Sequence, residues 1–328
     1  MSLLLNSIAD LRQYVSSFQD GVSFTAYAPT IKQVTRYYIE PYFPLPLRVK
    51  LIANESLSPE ETALRELLRE AVACFTAFKY SFSGAIMQTG SGLQHFEGEQ
   101  LKPAYKYEKE DYRGVMEETG FVALETALKY AVEKKAEIEH YATSNEYKKT
   151  VSRLVNFTTD FESCGYQIGR KTLALLLPHI ALIEREVVEP TLTPTLYNEL
   201  KDKQYTEGSL QDDNVLSEGK QTLLFLYREG IAQYALQLAM DLSLIHFVGS
   251  EVFIKEHKDD DASHQRTLPR MDVYSRVKET RNDYAARYLQ QGKHYLEANA
   301  EALGWTVPVV TEGVSTATAF IGFLKKTN

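Results

Sequence analysis

Two arginine–glutamate pairs are the first residues whose spacing suggests chemistry. Arg36 and Glu40 stand four residues apart, and so do Arg185 and Glu189. Two such glutamates, brought face to face, would form a general acid–base pair. The same spacing fits an ion pair, because side chains four residues apart share one helical face. The glutamates of the next helix that offer alternative ion-pair partners are Glu70 and Glu229. We expect structural ion pairs here and no catalytic residue.

A second candidate is the Glu-x-x-His motif at Glu137 and His140. Di-iron helical bundles carry this spacing on two of their helices. The other half of the chain has His294 and Glu297 in the opposite order, at a position that aligns elsewhere. A duplicated metal centre needs its ligands in both copies, so the sequence favours no metal at this motif.

The loop 255–266 gathers acidic and histidine side chains. They are His257, Asp259, Asp260, Asp261 and His264. The loop lacks the spaced acidic positions and the central glycine of an EF-hand. A solvated acidic loop is favoured over a divalent-cation site, and both interpretations stay open.

Loop motifs that hold phosphates or nucleophiles are missing from the sequence. The stretch TGSG at 89–92 has His95 where a dinucleotide-binding loop needs its third glycine. No Walker loop, Gly-x-Ser-x-Gly elbow or Cys-x-x-Cys pair occurs. The sequence therefore predicts no cofactor and a protein that is not an enzyme.

The composition disfavours a nucleic-acid-binding, secreted or membrane-spanning protein. The formal net charge of −8 disfavours binding to nucleic-acid phosphates, and 44% hydrophobic residues among 328 are enough for a large core. No basic secretory leader precedes the first leucines, and the longest apolar run, VSTATAFIGFL, is shorter than a membrane span. Two cysteines, one of them Cys74 on an apolar helical face, suit a reducing compartment. We expect a soluble, cytoplasmic protein.

The chain contains one unit written twice. Four pairs of segments align in the same order, and 19 of their 54 positions are identical, where about three would match by chance. The pairs are 4–11 with 154–161, 29–41 with 178–190, 58–75 with 217–234, and 111–125 with 283–297. Asp10 and Asp160 match in the first pair, Tyr112 and Tyr284 in the last. The predicted units are 1–150 and 151–307, followed by a tail at 308–328.

The matched positions predict a mainly α fold with short β-hairpins. Each proline-bounded segment reads as a helix that begins at its first proline and stops at its last. Ser58, Pro59 and Glu61 predict a capping box ahead of a core helix. Hairpins follow, and then long helices at about 104–141 and 271–303, with Gly120 and Gly292 at close helix contacts.

This order of elements resembles phage head–tail connector (adaptor) proteins. The Asn-x-x-x-Asp-Leu segment, the proline-bounded helix, the Ser-capped LLREAVA helix and the long helix carry the resemblance, which is closest to a duplicated family encoded in prophages. It implies a non-enzymatic virion part that self-assembles and contacts portal or tail proteins. It also implies a location in the bacterial cytoplasm, or in the virion once assembled.

Two expectations concern contacts. The tail is apolar at Phe320 and Phe323, which suits an arm that binds a neighbouring subunit. The alternative to a connector is a helical ligand-binding protein or enzyme with a pocket between the two units, at Arg36, Arg185 and their glutamates.

Overall fold

The computed structural model divides the chain into two compact units, residues 1–150 and 151–328. The described residues are 3–18, 23–83, 86–89, 92–95, 106–165, 167–205, 215–241, 245–248, 251–254 and 271–306. Both units are mainly helical, and their elements follow in the same order. The predicted tandem arrangement of a mainly helical unit is confirmed.

The first unit begins with short helices and ends with long ones. Its elements are α1 (Ile8–Tyr14), α2 (Phe24–Val34), the π-helical segment π1 (Thr35–Ile39), α3 (Leu45–Ala53), α4 (Pro59–Ser83), β1 (Ile86–Thr89), β2 (Gly92–His95), α5 (Lys106–Glu133) and α6 (Asn145–Thr150). Strands β1 and β2 pair antiparallel, with Ile86 opposite His95.

The second unit repeats this order with a 3₁₀ helix in place of α1. Its elements are the 3₁₀ helix (Thr158–Cys164), β3 (Gln167–Ile168), α7 (Arg170–Ile183), π2 (Glu184–Val188), α8 (Pro194–Lys203), α9 (Glu218–Asp241), β4 (Ile245–Val248), β5 (Glu251–Ile254), α10 (Met271–Ala298) and α11 (Ala300–Leu303). Strands β4 and β5 are antiparallel, and β3 adds parallel to β5. The turns predicted at Gly90 and Gly249 lie outside the described residues.

Helices α4 and α9 are the centre of their units. Each packs against the long helix that follows it, α4 on α5 and α9 on α10. Apolar side chains recur on one face of each central helix and are fully or almost fully buried: Leu64, Leu68, Val72 and Phe75 in α4, and Leu223, Tyr227, Ile231 and Tyr234 in α9. The capping box is confirmed, because Glu61 N–H donates to Ser58 Oγ (3.1 Å) and Ser58 N–H donates to Glu61 Oε2 (3.0 Å).

The prolines that open the matched segments do not start helices. Pro29 and Pro178 lie inside α2 and α7, which begin upstream at Phe24 and Arg170. Both prolines are on the exposed side of their helix, where water can satisfy the carbonyl left without an N–H donor. The prediction was wrong because proline is a common start signal that a solvated helix also tolerates in its interior.

A rare backbone feature follows each proline. In π1 the Glu40 N–H donates to Thr35 O (2.9 Å), and in π2 the Glu189 N–H donates to Glu184 O (2.8 Å). Such five-residue bonds define a π-helix, which is uncommon and usually short. Both segments are offset by the same 149 residues, so the duplication extends to this local geometry.

The first long helix is shorter than expected. It ends at Glu133, whereas the sequence indicated about 141. Beyond it the chain turns so that Ile138 and Tyr141 are buried, with the Tyr141 ring 5.8 Å from that of Phe43. His140 adopts a left-handed φ of 65°, so it and Glu137 do not share a helical face.

Glycines let the central and long helices approach closely. The predicted pair was Gly120 and Gly292, but the closest contacts are at Gly120 and Gly230. A Cβ on Gly120 of α5 would lie 2.8 Å from the Phe75 ring. At Gly292 the nearest atom, on Tyr227, is 3.4 Å away. The tight contact of the second unit is instead at Gly230 of α9, where a Cβ would lie 2.6 Å from Leu289.

Alanine substitutions should separate these glycines. Gly120→Ala and Gly230→Ala each force a packed side chain to move, and we expect a loss of about 1–3 kcal/mol in the free energy of unfolding. Gly114→Ala is the control, since its Cβ meets nothing within 4 Å, and it should gain about 0.5–1 kcal/mol. Urea unfolding measures all three, and equal effects at Gly114 and Gly120 would contradict the packing argument.

Candidate functional site

The matched Asn-x-x-x-Asp motif holds the start of each unit in one conformation. The Asn6 N–H donates to Asp10 Oδ2 (2.9 Å), and the Asn156 N–H donates to Asp160 Oδ2 (2.8 Å). Each asparagine side chain in turn accepts an N–H from the residue three positions earlier, at 3.2 and 3.1 Å. The duplication has therefore kept a hydrogen-bond pattern as well as residue types.

One arginine of each central helix binds the aspartate of this motif. Arg69 Nη2 lies 2.7 Å from Asp10 Oδ1, and Arg228 Nη1 lies 3.6 Å from Asp160 Oδ1. Arg228 also donates from Nε to the carbonyl oxygen of Leu154 (2.8 Å). These contacts tie the first segment of each unit to its central helix.

A second ion pair between equivalent helices has exchanged its charges. In the first unit Lys50 of α3 binds Glu61 of α4, with Nζ and Oε2 2.8 Å apart. In the second unit the equivalent positions are Glu199 of α8 and Lys220 of α9, 2.6 Å apart. The attraction is retained although both residue types have changed.

The arginine–glutamate pairs singled out from the sequence are not formed. Arg36 and Arg185 are both exposed. Glu40 binds Arg48 of α3 at 2.8 Å, and Arg185 binds its neighbour Glu186 at 2.8 Å. Arg36 pairs with no carboxylate among the described residues. The prediction was wrong because the π-helical geometry changes the angular spacing that the four-residue rule assumes.

The glutamates and tyrosines that were also singled out from the sequence lie apart from one another. Glu229 is buried in α9, whereas Glu70 is half-buried in α4. Tyr112 approaches Ser17, with their hydroxyl oxygens 2.6 Å apart. Tyr284 is partly exposed between the guanidinium groups of Arg281 and Arg287. None of these residues joins the others in one site.

Segment π2 carries a buried carboxylate that sequence reasoning missed. Glu184 is 3% exposed; its Oε1 accepts the Leu154 N–H (2.7 Å) and its Oε2 accepts the Tyr197 O–H (3.0 Å). Burial raises the pKa of Glu184 to about 7, despite these hydrogen bonds. Thr35, the equivalent residue of π1, instead donates its hydroxyl to Ile31 O (2.8 Å).

A cleft of about 270 Å³ opens beside the Asp160–Arg228 pair. Its polar wall is formed by Asp160, Arg228, Lys203, Gln204 and Gln221, and its apolar wall includes Val215, Leu216, Leu224 and Phe225. The combination of a guanidinium, an ammonium and exposed apolar surface can bind an anionic group with an apolar neighbour. It offers no nucleophile paired with a base.

A smaller cleft of about 210 Å³ lies in the first unit and is lined by tyrosines. Tyr27, Tyr80 and Tyr112 meet there beside Ser17 and Ser81. Burial first, and the nearby Tyr80 and Tyr112 second, raise the pKa of Tyr27. Tyr27 is therefore a neutral hydrogen-bonding group on this aromatic surface.

The described residues offer few further candidates for chemistry. No group of three or more His, Cys, Asp and Glu side chains there is placed to hold a metal ion. Within the same ranges, no helix has the length and hydropathy of a membrane span. Cys74 is buried and free, and burial raises the pKa of its thiol to about 11. The acidic loop 255–266 and the tail residues Phe320 and Phe323 lie outside the described residues.

Sequence comparison connects the duplication to a protein family. The sequence model of DUF6712, a family of unknown function, matches residues 39–151 and again 188–309. The two matches begin at Ile39 and Val188, the last residues of π1 and π2. No curated protein and no solved structure matches the chain significantly.

The exchanged ion pair predicts the outcome of a charge swap in the second unit. Lys220→Glu alone places two carboxylates together. It should lower the free energy of unfolding by about 1–2 kcal/mol, because the ion pair is lost and the introduced carboxylate repels that of Glu199. Adding Glu199→Lys should recover part of this loss, since it recreates the charge order of Lys50 and Glu61 although it also places an ammonium group beside Lys203. A double-mutant cycle measured by urea unfolding checks this. If the losses in free energy of unfolding from the two single substitutions simply add, the two ion pairs are not equivalent.

The buried Glu184 predicts a pH-dependent stability. An unfolded glutamate titrates near 4.5, whereas Glu184 titrates at about 7. Between these values the folded state keeps a proton that the unfolded state has lost, so stability falls as pH rises towards 7. Glu184→Gln should raise the free energy of unfolding at pH 8 by on the order of 2 kcal/mol and change it little at pH 5.

The control for this experiment is Glu186→Gln, which also lies in π2 but is partly exposed beside Arg185. It should shift stability little, and by the same amount at both pH values. If Glu184→Gln instead destabilises the protein at pH 8, the two hydrogen bonds outweigh burial and the raised pKa is wrong.

Proposed function

The chain belongs to the DUF6712 family, and we propose that it is a non-enzymatic assembly protein that joins head and tail in a phage virion. The observation that supports the proposal is that the two units share the interactions that hold their helices together. Asn-x-x-x-Asp, the Asp–Arg pair, the α3–α4 ion pair and the π segment all hold elements together within one unit. A duplicated frame of this kind suits a structural part.

The exposed apolar side chains differ between the two units. In the first unit Tyr37, Leu45 and Val49 are 63%, 61% and 56% exposed. Their equivalents in the second unit are Glu186, Pro194 and Asn198. Leu45 and Val49 lie one turn apart on α3, so they present one apolar surface to a partner.

The second unit exposes other apolar positions. Leu175 and Leu182 of α7 are 36% and 39% exposed and lie two turns apart. The first unit has Ala26 and Gln33 at those places. Two similar frames with different contact surfaces fit head-to-tail association of copies, the kind of contact that closes into rings. The resemblance to duplicated connector proteins supports a portal or tail protein as the further partner.

A ligand-binding function is the second candidate, and the cleft beside Arg228 favours it. The cleft lies within the second unit and combines cationic and apolar walls. A binding cleft is compatible with an assembly protein, so the two functions are not exclusive.

Assembly is tested by measuring mass in solution, alone and after mixing with a phage portal protein. We expect oligomers by light scattering and a stable complex with the portal protein. Leu45→Ser with Val49→Ser should abolish one of these associations while leaving the melting temperature within a few degrees, because both side chains are exposed. Deleting residues 308–328 should weaken assembly in the same way if the tail is an arm.

The matched control is Lys32→Ser, an exposed polar change on α2. It should leave association unchanged. A chain that stays monomeric at all concentrations and binds no portal or tail protein would overturn the proposed function.

A further inference from the structure

The two equivalent arginines have different electrostatic surroundings. In the first unit Arg69 Nη1 donates to both carboxylate oxygens of Glu66, at 3.0 and 3.1 Å, in addition to the Asp10 contact. The Tyr14 hydroxyl donates to the same carboxylate. Burial would raise the pKa of Glu66, but hydrogen bonds from Tyr14 and Arg69 hold it below its ordinary value. Arg69 therefore has two ionised partners.

In the second unit the position of Glu66 is occupied by Phe225. Both residues stand one helical turn before their arginine, so a side chain at either position points along the same face. Arg65, the other charged neighbour in the first unit, is replaced by Leu224. The replacement removes one carboxylate from the surroundings of the arginine and exposes an aromatic ring, which is 48% accessible.

Arg228 is consequently less neutralised than Arg69. Its Nη2 donates to the neutral oxygen of Gln204 (2.7 Å) and its Nε to Leu154 O (2.8 Å). The carboxylate it faces, Asp160, is 3.6 Å from Nη1, beyond hydrogen-bond distance. The second cation of the cleft wall, Lys203, lies 3.3 Å from Glu199.

The cleft adjoins this replaced position. It is about 270 Å³, close to the lower end for small-ligand sites, and both Phe225 and Arg228 line it. Leu216 and Leu224 continue its apolar wall. A ligand here would meet a guanidinium at one end and apolar surface beside it.

We propose that this cleft binds a carboxylate that carries an apolar group next to it, and that the ligand carboxylate takes the role Glu66 has in the first unit. A guanidinium binds a carboxylate through charged hydrogen bonds of fixed direction. The exposed ring of Phe225 covers the apolar group, and the nearly buried Leu216 and Leu224 also line the cleft. The chemistry fits a small aliphatic acid and equally an acidic side chain flanked by leucines in a partner protein. The proposal does not depend on the connector function.

The experiment titrates the full chain with four probes and follows the arginine side-chain NMR signals. The carboxylate probes are hexanoate and the peptide acetyl-Leu-Glu-Leu-amide, and their uncharged controls are hexanamide and acetyl-Leu-Gln-Leu-amide. We expect a saturable shift of the Arg228 signal with at least one carboxylate and at least tenfold weaker binding of its amide control. Binding of hexanoate alone identifies a small acid as the ligand, and tighter binding of the peptide identifies a protein partner.

A matched pair of variants tests the site itself. Phe225→Glu restores the residue of the first unit, so its own carboxylate should fill the cleft, reduce probe binding at least tenfold and raise the melting temperature. Phe225→Gln has the same size without the charge, and it should retain most of the binding. Neither substitution removes a buried side chain, so both variants are expected to fold.

The titrations are repeated with Glu207→Gln, Asp212→Asn and Asp213→Asn together, so that carboxylates of the connecting segment do not compete with the probe. No saturable shift with either carboxylate in either background would overturn the proposal. Equal binding by the Phe225→Glu and Phe225→Gln variants would overturn it as well.

Discussion

The contact between a central-helix arginine and the aspartate of the first segment is the constraint on which each unit depends. Arg69 and Arg228 reach across from α4 and α9 to Asp10 and Asp160. The aspartate is already fixed, because it accepts a backbone N–H of its own motif. Each arginine therefore meets a partner that loses little conformational freedom on binding. Arg69 makes a charged hydrogen bond at 2.7 Å, whereas Arg228 makes a longer ion pair at 3.6 Å. The short elements that follow each first segment are positioned from this anchor.

The duplication has preserved interactions more faithfully than residues. Lys50 with Glu61 and Glu199 with Lys220 give the same attraction with opposite charges. Both pairs join the equivalent two helices of their unit, so the attraction between those helices is retained although each charge is reversed. The π segments show the same preference: Thr35 and Glu184 have unlike side chains, yet both begin a five-residue hydrogen bond at equivalent positions. What is selected in these units is the placement of helices.

The sequence could predict what is local. Helical phase found the buried faces of α4 and α9, and a serine followed by Pro59 and Glu61 found the capping box, because each involves residues within one or two turns. The Asp–Arg pair joins residues 59 positions apart in the first unit, and no spacing rule reveals it. Comparison of the copies did contain a signal, since both partners of the pair are identical in the two copies, Asp10 with Asp160 and Arg69 with Arg228. The predicted pairs at Arg36 and Arg185 do not form, because the π-helical geometry changes the spacing that the four-residue rule assumes, and both arginines are exposed.

Differences between equivalent positions are the more informative guide to function in a duplicated chain. A residue that both units keep is explained by the interactions that hold the helices of each unit together. Where only one unit keeps a charged residue, one of these interactions is missing from the other unit. Glu66 and Phe225 are such a pair. Loss of a carboxylate beside a partly buried guanidinium is unfavourable unless other groups compensate, and here Gln204, a carbonyl oxygen and the more distant Asp160 carboxylate surround Arg228. The second unit thus combines a retained arginine with an open apolar wall. That combination distinguishes the two units: Arg69 has two carboxylate partners, whereas Arg228 pairs with Asp160 alone among the described residues and lines the cleft.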